Sequence, residues 1–104
     1  MTTKEFMAAN LEAVQEIINE LPTTFKSHQF IETFSKRFQH GYIRMLNLQT
    51  EKNPDNPEPF QAIHAQIGRF LASNQDQLSI SQQGKIKSDN IFGKYSDNEV
   101  WNKI

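Results

Sequence analysis

The segment Glu51–Pro59 constrains the fold of this chain most, because three of the four prolines, Pro54, Pro57 and Pro59, fall there among Asn53, Asp55 and Asn56. Proline fixes φ, lacks a backbone N–H and drives the residue before it out of helical geometry, so no helix and no central strand crosses that spacing. The chain therefore has to stop before Asn53 and restart at Pro59. With 104 residues in total, neither side is long enough to bury a core alone. The proline run is expected to be a loop inside a single domain, 1–104, rather than a boundary between two.

Ahead of the loop the pattern is helical. Thr2 and Glu5 have capping-box spacing, and Pro22 closes the segment they open. Between them Met7, Leu11, Val14, Ile18 and Leu21 recur at steps of three or four, and Glu12, Glu16 and Glu20 share the opposite face. This spacing predicts one acidic, solvated packing helix. Thr23–Ser27 reads as a link with Ser27 as the next cap. Phe30, Ile31, Phe34 and Phe38 then form an aromatic stripe that Tyr42, Ile43 and Leu46 extend, with Gly41 between the two sets. Residues 28–48 form one long helix or two shorter ones. A glycine costs about 1 kcal/mol inside a helix, and a small core favours two helices, or a bent one, near His40 and Gly41. Four cations (Lys26, Lys36, Arg37, Arg44) stand against Glu32 in this stretch, a local basic excess.

After the loop, Pro59 suits the first turn of a helix reaching Asn74, with Phe60, Ile63, Ile67, Phe70 and Leu71 as its inward stripe. Beyond it the period changes. Leu78–Ser81 alternates, Gln83-Gly84 can turn the chain, Ile86–Phe92 is a second strand candidate, and Glu99–Ile104 is a third after the turn-rich Gly93–Asn98. The expected class is α+β and mostly helical: three or four helices followed by a small C-terminal antiparallel β-hairpin. Trp101 is expected to anchor that hairpin onto the helices, since aromatic residues bury large areas in small domains.

Several chemistries lack their residues. Without cysteine there is no disulfide framework, thiolate zinc site or cysteine nucleophile. His28, His40 and His64 are scattered, and none pairs with another ligand at close metal-binding spacing. No glycine-rich phosphate loop, G-x-S-x-G or H-E-x-x-H occurs, and the carboxylates lie at the spacing of a solvated helix face. Neither enzyme activity nor a cofactor or metal is expected. No stretch approaches the roughly 20 apolar residues that cross a bilayer. The amphipathic start of the chain does not read as a signal peptide, so no membrane association and a cytoplasmic location are expected. The net charge of −1 provides no global attraction to a polyanion.

The Pro59–Asn74 helix carries the most informative pattern. Opposite its apolar stripe stand Gln61, Ala65, Gly68, Arg69 and Ala72, and no acid occurs from Gln61 to Gln75. A solvent face would ordinarily be filled with Glu and Lys. Small residues allow close approach of a partner, and Gln61 and Arg69 suit base edges or phosphates. Three readings stand: packing within the domain, double-stranded DNA, or a protein partner or second copy meeting Ala65, Gly68 and Ala72. His64 lies on the flank of this face. Lys85, Lys87 and Lys94 bracket the hairpin with Asp89 the only acid among them; they fit contacts to phosphates, or a charged edge strand that resists aggregation.

Helices followed by a β-hairpin in this order resemble a winged helix-turn-helix domain. The resemblance places Pro59–Asn74 at the recognition position and Lys85–Trp101 as the wing. It implies a small DNA-binding or regulatory module, with Gln61, His64, Arg69, Lys85, Lys87 and Lys94 as contact candidates. Against it weighs the alternative of a protein–protein interaction module or homodimer that touches no nucleic acid.

Overall fold

Thr2 caps the first helix as its spacing to Glu5 predicts, its hydroxyl accepting from the Glu5 N–H at 3.1 Å. This is a computed structural model, and it describes residues 2–104. Helix α1 spans Thr3–Ala9 and α2 spans Leu11–Glu20, so the expected single helix is broken at Asn10. The Asn10 side chain donates back to the Phe6 carbonyl at 2.9 Å, the local competition with helical bonding that asparagine offers. The apolar stripe survives the break, because Met7, Val14, Ile17 and Ile18 are all buried. Leu21, extended before Pro22 as pre-proline sterics require, ends α2.

The stretch read as a link is a three-residue strand, β1, Thr24–Lys26, with Phe25 buried between two exposed neighbours. Ser27 is not a cap but the first residue of α3, Ser27–Arg37, and its hydroxyl accepts from the Trp101 indole at 2.9 Å. The N-terminus of α3 is closed instead by Gln29, which accepts from the Lys26 N–H at 2.8 Å, and by the Asn98 side chain, which accepts from the His28 N–H at 3.0 Å. Helix α4 spans Gln39–Lys52. Residues 28–48 are thus two helices, parted at Phe38 rather than at Gly41. Gly41 sits inside α4 because Phe6 packs onto its backbone, where a Cβ would overlap the ring. A close approach has outweighed helix propensity there.

After the proline loop, α5 spans Pro59–Ser73 and buries Ile63, Ile67, Phe70 and Leu71 of its predicted stripe, whereas Phe60 in the first turn is exposed and meets Phe92 of the hairpin instead. A single turn, α6, Gln75–Leu78, leads through Ser79 in the left-handed region into β2, Ile80–Asp89. Strand β3 is Tyr95–Lys103. The first two strand candidates are one continuous strand. Gln83-Gly84 does not turn the chain but forms a bulge, Gln82 pairing with Trp101 and Gly84 with Val100 while Gln83 is the extra residue. The turn lies at Asn90–Lys94. There the Asn90 side chain accepts from the N–H groups of Phe92 (2.9 Å) and Lys94 (3.0 Å), and Gly93 adopts φ 78°.

The three strands form an antiparallel sheet in the order β1–β3–β2. The protein is α+β, with six helices and this sheet among the described residues. Trp101 is fully buried, facing Phe25 across the β1–β3 pairing, and belongs to the same core as the stripes of α1–α5. It anchors the sheet to the helices as expected.

Candidate nucleic-acid interface

The acid-free side of α5 faces outward. Gln61, Ala65 and Arg69 are exposed, Gly68 and Ala72 are half-buried, and, apart from the adjoining residues and backbone of α5 itself, no atom of the described residues lies within 4 Å of where a Gly68 Cβ would stand. Only Ala72 on this side packs against the core. The side forms one wall of an open groove of about 370 Å³. Ser27, His28 and Ile31 at the start of α3 contribute a second border, and Gln82, Lys85, Ser96, Asp97 and Glu99 of the hairpin contribute the third.

The structure places the candidate residues differently. Gln61, Arg69 and Lys85 line this groove together with Ala65, Gly68 and Ala72. Lys94, at the turn, pairs with Glu58 and donates to Gln61 Oε1 at 3.1 Å, tying the tip of the hairpin to the start of α5. Lys85 lies 3.5 Å from Glu99. Lys87 is exposed on β2, makes no ion pair among the described residues and does not line the groove. His64 borders the groove but turns inward, only 8% exposed. Its Nε2 and the Tyr42 hydroxyl are 2.7 Å apart, and its ring stacks on Phe92 with centroids 5.9 Å apart.

Burial, reinforced by the nearby His28, pushes the His64 imidazole down to about 4, and burial pushes the Tyr42 phenol up to about 12. Both are therefore uncharged at neutral pH, and their bond is one between neutral groups. His28 is also held below the usual histidine value by burial, partly offset by hydrogen bonds to the backbone of Asp89 and Asp97. Its Nδ1 lies 3.1 Å from the Asp89 carbonyl oxygen.

Three features were not drawn from the sequence. The first is the set of acids facing the lysines. Antiparallel register sets Lys85 opposite Glu99 and Lys87 opposite Asp97, the cross-strand opposite-charge arrangement that stabilises sheets. Counting lysines along the chain hides it, whereas placing the turn at Asn90–Lys94 would have exposed it. The second is Asn98, 2% exposed, which accepts from α3 and donates to the Ser88 hydroxyl at 2.9 Å. The third is a set of exposed apolar side chains at the hairpin: Ile86, Phe92 and Tyr95 beside Phe60, whose ring centroid lies 4.3 Å from that of Phe92.

No protein-family model, no curated protein and no solved structure matches the chain. Among the described residues, no helix is long and apolar enough to cross a membrane and no group of three or more His, Cys, Asp or Glu side chains is placed to hold a metal ion.

Proposed function

We propose that this chain is a small DNA-binding module of winged-helix type, acting in the cytoplasm without catalysis or cofactor. It presents α5 to the major groove and the β2–β3 hairpin to the adjoining backbone. The observation that carries this reading is the uncovered, acid-free side of α5 lying along the same open groove as the hairpin. Ala65 and Gly68 let the helix backbone come close to DNA, Gln61 suits an adenine edge, and Arg69 suits guanine or a phosphate. Lys87 is available to a phosphate, while Lys85 and Lys94 would first have to leave Glu99 and Glu58. His64, inward and neutral, supports the helix instead of contacting a base.

The charge pairing sets the expected strength. Two or three phosphate contacts correspond to a fall in affinity of about ten- to fortyfold between 50 and 200 mM salt. Fluorescence anisotropy with a labelled random-sequence duplex measures this, and Arg69→Glu and Lys87→Glu should each weaken binding further. Salt-independent binding, or variants that bind as well as the native protein, contradict the proposal.

A protein partner is the second reading. It is favoured by the exposed Phe60, Phe92 and Tyr95, a residue class enriched in protein interfaces. Under that reading Gly68→Leu disrupts association and salt has little effect.

A further inference from the structure

Arg69 borders a second depression, of about 460 Å³, where the start of α1, the end of α4 and the later half of α5 meet. Lys4 and Lys52 join Arg69 around it, with Gln66 and Ser73 between them and the buried Phe70 beneath. No carboxylate lines this pocket. None of the three cations makes an ion pair among the described residues. The groove on the hairpin side is different, since Lys85 and Lys94 there already meet Glu99 and Glu58. The Glu5 carboxylate accepts from the hydroxyl of Thr2, itself a lining residue of this pocket, and Glu51 lines the adjoining cavity.

We infer that this pocket binds a phosphate group. Three like charges drawn to one concavity repel one another, and an anionic phosphate relieves that repulsion. Arg69 offers a planar fork that spans two phosphate oxygens, Lys4 and Lys52 act as mobile point charges, and the Ser73 hydroxyl adds a neutral donor. Phe70, itself buried, supplies an apolar floor beneath them. A phosphodiester of nucleic acid offers two non-bridging oxygens and one charge, and a small phosphomonoester three oxygens and up to two charges; either can meet the Arg69 fork. The inference reaches beyond the proposed function, because Lys4 and Lys52 lie outside the surface formed by α5 and the hairpin.

The test is a two-dimensional amide NMR titration of the full chain at low salt, with pyrophosphate and, separately, with duplex DNA. The native protein is compared with a Lys4→Glu/Lys52→Glu double variant, a Lys4→Arg/Lys52→Arg control and Lys87→Glu. Pyrophosphate should shift the amides of Gln66, Ser73 and Asn74 saturably. The Glu variant should weaken that binding tenfold or more, with the Arg control and Lys87→Glu close to native. If the Glu variant weakens duplex binding as well, the phosphate is one of the DNA backbone. If it weakens pyrophosphate binding alone, the ligand is a small molecule. Pyrophosphate binding with no duplex binding by the native protein contradicts the DNA reading and leaves this site standing. The inference is overturned if pyrophosphate shifts none of these amides and the Glu variant binds duplex DNA as the native protein does.

Discussion

Gly41 and His64 show how single residues carry constraints that chain position alone does not display. Gly41→Ala improves helix propensity by about 1 kcal/mol, yet its methyl meets the Phe6 ring. Overpacking of that kind costs about 1–3 kcal/mol, so net destabilisation is expected in chemical denaturation, and Phe6→Leu in the same chain should recover part of it. For His64, the folded-state value near 4 lies below the ordinary 6.5. The unfolded chain therefore takes up a proton first as pH falls, and stability present above pH 6.5 is lost progressively toward pH 4. On the order of 2 kcal/mol should go in that window, after discounting for partial exposure. His64→Gln, which can still bond the Tyr42 hydroxyl, should flatten this part of the profile relative to the native protein. An unchanged slope would show that His64 is not the group responsible. Gly41 was legible in the sequence as an anomaly but not as a packing site, because its reason is the Phe6 ring, 35 positions away in the chain. His64 was legible as a flank residue, while its partner Tyr42 lies on another helix.

At the level of elements, short-range physics was readable and long-range pairing was not. Pro59 starts α5 and Pro22 follows the end of α2, because proline acts on its immediate neighbours. Asn10 was passed over because the apolar spacing runs unbroken through it. β1 was passed over because three residues between helices carry no periodicity; only pairing with β3 makes them a strand. Gln83-Gly84 looked like the hairpin turn, yet Gly84 at φ 149° serves a bulge and Asn90 organises the real turn through two accepted bonds. Asn90→Ala leaves two N–H groups without that acceptor and should destabilise the hairpin by about 1–2 kcal/mol. Amide exchange should then quicken from Ser88 to Ser96 while α2 and α3 keep their protection. Uniform loss of protection would place Asn90 in the global fold instead.

For the molecule as a whole, the α+β class and the buried Trp101 followed from composition and period, whereas the electrostatic surface needed the fold. The lysines of the hairpin looked like a basic wing in linear order. In three dimensions Glu99, Asp97 and Glu58 stand against them, and Lys4, Lys52 and Arg69, which make no ion pair among the described residues, gather at another edge of α5. The missing acids on one side of α5 marked that side as unusual without saying whether it packs inside the domain, and its outward position makes it the surface on which the functional account rests. The most direct test is an amide NMR titration of the native protein with duplex DNA, read along α5. The account predicts salt-sensitive shifts at Gln61, Ala65, Gly68 and Arg69, with Lys87 following. Duplex DNA that leaves these amides unmoved at low salt would contradict it.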